Sequence, residues 1–151
     1  MPADGNRATR PASITALTTA ILGSAISLYL TVEHYSSSRL LACPESATIN
    51  CAKVTTSRWS QLAGVPVAVL GLIFFLSMVA LLTPLAWRQP RLDAVRIAAT
   101  AIGTVMVLYL IWIELFRVDA ICLWCTAVHI CTITLLAAVL WHTSDLRSDI
   151  G

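Results

Sequence analysis

Five cysteines stand at positions 43, 51, 122, 125 and 131. Four of them form two pairs, Cys43-x7-Cys51 and Cys122-Leu-Trp-Cys125. A C-x-x-C at a helix start has a physical logic, because free N–H groups and the helix dipole stabilise a thiolate there. Asp119 is the expected N-cap, which puts Cys122 at N3 and Cys125 one turn deeper. Its negative charge partly opposes thiolate formation. Two such pairs can pass electrons between them by thiol–disulfide exchange through mixed disulfides. Two other chemistries use the same residues. One is a four-cysteine zinc site, although a seven-residue gap is wide for the usual paired knuckles. The other is a pair of inert structural disulfides. Cys131 is nine residues past Cys122, roughly 13 Å deeper along a helix, with no partner cysteine, and reads as a small packing residue.

The elements that must hold these sulfurs are set by hydropathy. Of 151 residues, 58% are hydrophobic and only 12% charged, about half the charge of an ordinary soluble domain, and the mean hydropathy is +0.80. The apolar residues lie in long charge-free runs, which excludes intrinsic disorder, a basic nucleic-acid-binding domain and a soluble enzyme core. A net charge of +2 implies no acidic partner. Four runs reach the roughly 20 apolar residues that a spanning helix needs: Pro11–Val32, Trp59–Trp87 with its centre at Val65–Leu82, Ile97–Ile113 and Ala120–Ser144. The first is long for a signal-peptide core, and Ser36-Ser37-Ser38-Arg39 is no cleavage site. The expectation is an all-α membrane protein in one domain over 1–151, a four-helix bundle with spans near 12–33, 65–85, 96–115 and 121–142.

An even span count puts both termini on one side. Arg7, Arg10, Arg88, Arg91, Arg96 and Arg147 flank that side, against Arg39, Lys53, Arg58 and Arg117 on the other. Positive residues in short flanks mark the cytoplasmic face, so both termini are expected there. Trp87 and Trp141 then suit the inner interface, and Trp59, Trp112 and Trp124 the outer one. Four passes therefore collect both cysteine pairs on the outer, oxidising side.

The long outer loop, 33–64, is expected to carry a short surface helix over Cys51–Leu62, with apolar residues at Cys51, Val54, Trp59 and Leu62. Gly64 and Pro66 mark a break before the second span. A loop pair can meet a soluble protein and a helix pair a lipid-soluble carrier. For the latter, a quinone is the natural two-electron acceptor.

With these residues in place, the chain resembles the vitamin K epoxide reductase (VKOR) family. The resemblance is carried by Cys43-x7-Cys51, Ser57-Arg58-Trp59, Gly71 and Cys122-x-x-Cys125, and covers about residues 14–142. The bacterial DsbB-type oxidase is similar in design, but it carries its C-x-x-C in the first outer loop, the reverse order. The resemblance implies a four-helix bundle around a quinone, capped by the loop and its short helix. It implies that Cys43 exchanges with the partner, Cys51 passes electrons to Cys122, and Cys125 faces the quinone. Ser57 matches the family's Ser/Thr near the quinone; its other reading is a hydroxyl capping the surface helix, and Thr55 or Thr56 could replace it. Members that reduce the epoxide have an Asn early in span 2 and a Tyr one turn after the C-x-x-C, where Val67 and His129 stand here. The bacterial role then fits: oxidation of a separate DsbA-like thioredoxin-fold protein, with reduction of menaquinone, ubiquinone or a related quinone, outside the cytoplasm in a bacterial plasma membrane.

His129 is four residues past Cys125 and seven past Cys122, on one helix face with both. A polar group at that depth is a functional candidate, here for the quinone. Trp59 and Trp124 are anchors that can also wall a quinone pocket. Glu114 could do similar work toward the quinone, but its place at the span 3 boundary favours a solvated interfacial carboxylate; His34 and His142 read as interfacial histidines. The runner-up enzyme is a thiol-driven quinone or epoxide reductase. A different class is a non-catalytic tetraspan protein whose disulfides shape a docking loop.

Overall fold

The computed structural model describes residues 5–36, 42–44 and 46–148, with side chains for 11–36, 42–44 and 46–144. Ser37, Ser38 and Arg39 of the outer loop lie outside the described residues, as do the side chains of Arg7, Arg10 and Arg147.

The chain is helical almost throughout: α1 (Gly5–Tyr35), α2 (Cys51–Thr55), α3 (Val67–Leu81), α4 (Pro84–Trp87), α5 (Arg91–Ile113) and α6 (Leu123–Ser148). Three helices are long and apolar enough to cross a membrane, at Pro11–Tyr35, Arg91–Val118 and Leu123–Ser144. The third of these helices begins two residues later than the expected span, at Leu123. The expected second span is broken. Pro66 starts α3 and Thr83-Pro84 stops it, so its 15 residues cover about 22 Å. That is less than the ~30 Å hydrocarbon core, and α4 carries the chain on by one more turn.

α1 is the centre of the bundle. It packs along α6 on one side and α3 on the other, and α5 closes against α6. The α1–α3 approach depends on small residues: a Cβ on Gly23 would sit 2.4 Å from the Phe75 ring. α3 and α5 meet only sparsely, which leaves space between them. The core runs through Ala16, Ala20, Phe75, Met78, Leu135 and Val139. Cys131 is buried in this core as a free thiol. Apolar side chains on the outer face of α5, such as Ile102, Val105 and Leu108, are exposed, as suits contact with lipid.

At the end opposite the cysteines, Arg96 is fully buried. It donates to the carbonyls of Leu81 and Ala86, pairs with Asp93 and lies 4.2 Å over the Trp87 ring, which stacks on His142 at 3.9 Å. One arginine thus satisfies carbonyls freed where α3 and α4 end. His142, expected at the interface, is buried here.

The surface helix is shorter than expected. Asn50 caps it by accepting from the Lys53 amide at 2.8 Å, but helix ends at Thr55, followed by a tight turn at Arg58–Ser60. Gln61–Leu62 (β1) then pairs antiparallel with Val65–Pro66 (β2). Ala63 and Gly64 both have positive φ, the geometry of a two-residue hairpin. That turn draws Gln61 and Leu62 into extended pairing and overrides the helical spacing of the apolar residues.

Candidate functional site

Two segments far apart in sequence are tied together just before the C-x-x-C. Ile121 donates to the Thr48 carbonyl at 2.9 Å and accepts from the Asn50 amide at 3.1 Å. Asn50 and Ile121 each directly precede a cysteine, so this bridge lays Cys51 alongside Cys122. Both are buried, at 1% and 0% exposure. Lys53 adds a bond from its ammonium to the Asp119 carbonyl, 3.3 Å.

Cys43 and Cys51 form a disulfide, whereas Cys122, Cys125 and Cys131 are free thiols. Cys43 is half-buried. The main chain beside it is anchored at Ala42, which donates to the Tyr29 hydroxyl at 3.2 Å and accepts from the Trp124 indole at 3.0 Å. Tyr29 and Trp124 themselves pack with ring centroids 5.0 Å apart. Trp124 therefore orients the disulfide. It is not among the residues that line the cavity described below.

Asp119 does not cap α6. It takes a left-handed conformation, φ 52°, and ends a π-helical turn over Glu114–Val118, while α6 begins at Leu123. Cys122 occupies the capping place instead, its sulfur accepting from the Cys125 amide at 3.2 Å. The Cys122 thiol is held below the usual thiol range. The hydrogen bond from the Cys125 side chain is the main cause, helped by the Cys125 and Trp124 amides and opposed by burial and by Glu114.

A cavity of about 280 Å³ opens between α3 and α5 beneath the surface turn. Cys125, His129, Ser57 and Trp59 all line it, with Val67 and Glu114. Its walls are otherwise mostly aliphatic and aromatic. Ser57 donates to the Val54 carbonyl at 2.8 Å, so its hydroxyl caps no helix N-terminus. Trp59 is clamped between Arg58 and Arg117, whose guanidiniums lie 4.7 and 5.7 Å from its ring. A second, more polar hollow of about 700 Å³ contains Cys43, Cys51, Glu33 and Arg58. His34, Thr55, Ser57 and Ser60 line both hollows. The disulfide thus faces a polar groove and Cys125 an apolar cavity, with hydroxyl-bearing residues between.

One residue sits otherwise than the sequence suggested, and another was not foreseen. Glu114, expected in solvent, is only 6% exposed and lines the cavity. It opens the π-helical turn that follows α5, and no local sequence pattern announces that turn. The Ser27 hydroxyl, on α1, is buried against Gly71 and has no hydrogen-bond partner among the described residues. Among the described residues no group of three potential ligands could hold a metal.

The profile of the vitamin K epoxide reductase family matches residues 14–140, and the chain belongs to that family. It is an integral membrane protein and a membrane thiol oxidoreductase.

Proposed function

We propose that this VKOR-family protein takes electrons from a DsbA-like thioredoxin-fold partner outside the cytoplasm and delivers them to a membrane quinone, so supporting disulfide formation. The observation that carries this reading is the separation of environments. The half-buried Cys43 sits on a polar groove open to a protein partner, and Cys125 sits on an apolar cavity shared with Ser57 and His129.

The cavity's residues suit a quinone. Its volume is near the lower end of small-molecule sites, roughly 300 Å³. The unpartnered Ser27 hydroxyl supplies a donor for a carbonyl, a buried group with an unmet bond. His129 and Glu114 add polar atoms to an otherwise apolar wall. A quinone bound there accepts two electrons and two protons.

The relay runs through this chain's sulfurs. A partner thiolate attacks Cys43 and releases Cys51. Cys51 attacks Cys122 in the Cys122–Cys125 disulfide, freeing Cys125. Cys43, once the partner has left, attacks Cys51 and releases Cys122. The result is a Cys43–Cys51 disulfide above two thiols, which is the set of bonds in the structure. Release is eased by the lowered pKa of Cys122, since a more acidic thiol leaves faster. Epoxide chemistry is disfavoured, because Val67 lines the cavity without a hydrogen-bond donor.

The test is to purify the protein, identify the quinone that accompanies it, and measure quinone reduction driven by a reduced thioredoxin-fold protein. Quinone reduction that needs both Cys43 and Cys125 is expected. No quinone reduction by any thiol donor would leave the non-catalytic tetraspan reading.

A further inference from the structure

Glu114 is a carboxylate placed where a membrane protein rarely keeps one without use. It is 6% exposed, on the wall of the apolar cavity. The main-chain N–H of Cys122 faces its carboxylate, and both Cys122 and Cys125 lie within its electrostatic reach. No cation pairs with it among the described residues. The backbone there is specialised. Glu114 opens a π-helical turn, and its carbonyl accepts from the amides of Asp119 and Ala120. Such turns inside α-helices are rare and recur at functional sites.

We infer that Glu114 is a catalytic residue, the base that takes a proton from the Cys122–Cys125 dithiol and passes it to the quinone. The inference rests on the proposed quinone reading. Oxidation of the pair releases two electrons and two protons as the S–S bond forms, and reduction of a quinone to a hydroquinone consumes both. Glu114 accepts one thiol proton as its sulfur is oxidised and gives that proton to a carbonyl oxygen, ending the cycle as a carboxylate again. The other thiol proton leaves toward the polar groove, and a proton returns to the second oxygen past His34 and Ser57, which line both hollows. The titratable groups facing Glu114 are Cys122, and Cys125 and His129 on α6, with His34 of α1 on the same cavity.

A positional role is the competing account, in which the carboxylate serves only to receive the Cys122 amide. Glu114→Gln separates the two, because its side-chain carbonyl still accepts that amide but no longer carries a proton. Glu114→Asp restores the carboxylate on a shorter arm. Wild type and both variants would be compared in detergent with two readouts. The first, free of quinone, is the pH profile of Cys125 alkylation by iodoacetamide, followed by mass spectrometry. A second ionisation besides the thiol's is expected in wild type and Glu114→Asp, and a single one in Glu114→Gln. The second is single-turnover hydroquinone formation, expected to slow at least about a hundredfold in Glu114→Gln and to recover in part in Glu114→Asp. Exchange of a small thiol at Cys43–Cys51 reports that each variant is folded. Superimposable pH profiles, with hydroquinone formation within twofold of wild type in a folded Glu114→Gln, would overturn the inference and leave the quinone reading intact. A wild-type protein that reduces no quinone would overturn both.

Discussion

Cys43 and Cys51 have one sulfur chemistry and two environments, and the proposed order of the relay rests on that difference. Cys43 is half-buried on the polar groove, whereas Cys51 is buried, next to the Asn50–Ile121 backbone bond. Cys51→Ala should therefore strand the partner on Cys43 as a stable adduct on non-reducing gels, and Cys43→Ala should form none. An adduct through Cys51 at wild-type rate would reverse the order. pH gives a second handle. A lowered pKa keeps Cys122 a thiolate, and so a good leaving group, at pH values where an ordinary thiol of about 8.5 is already protonated. In the reduced pair, iodoacetamide should therefore alkylate Cys122 down to lower pH in the wild type than in Cys125→Ala, which loses the main donor to its sulfur; superimposable profiles would contradict the assignment. His129 is 5% exposed and lines the cavity. His129→Phe should slow quinone reduction while partner exchange at Cys43 continues normally, and equal loss in both half-reactions would indicate misfolding instead. At this scale the cysteines were legible because residue type and spacing carry thiol chemistry directly. Glu114 was legible only as a second candidate beside His129, and its burial was not, since that depends on how a helix ends.

Two short elements do most of the positioning, and each is held by only a few bonds. The strand-like contact at Ile49 and Ile121 aligns the loop with the start of α6. The Ala42 main chain hangs between Tyr29 and Trp124. Trp124 had two expected uses, interfacial anchor and quinone wall, and the structure adds a third, a hydrogen bond to the segment that carries Cys43. Trp124→Phe keeps the ring against Tyr29 but removes the N–H. Partner-driven reduction of Cys43–Cys51 should drop several-fold, with quinone reduction by pre-reduced Cys122–Cys125 unchanged. The opposite split would return Trp124 to the quinone. Sequence periodicity placed the long helices well, because an apolar run in lipid has few alternatives to helix. It failed over Gln61–Leu62, where the Ala63-Gly64 turn decides between helix and hairpin and apolar spacing carries no such information.

For the whole molecule, the open question of path through the membrane turns on α3. Its 15 residues are short for a hydrocarbon core, but the chain between Val67 and Trp87 continues through α4, and Arg96 closes the carbonyls at that bend from inside the bundle. A buried guanidinium that caps two helix ends and stacks on Trp87 lets the span finish early without leaving bare carbonyls in lipid. The exposed Arg88 and Arg91 then lie just beyond, where lipid headgroups would be. If α3 crosses fully, residues before and after it are on opposite sides. Alkaline phosphatase fused after Thr55 should then be active, and the same enzyme fused after Pro90 inactive. Two active fusions would mean that α3 dips into the membrane and returns, which would place Arg88 and Arg91 on the same side as the cysteines. The reverse pattern would keep four crossings but turn the bundle over and put both cysteine pairs in the reducing cytoplasm, where a disulfide-forming relay would have no use.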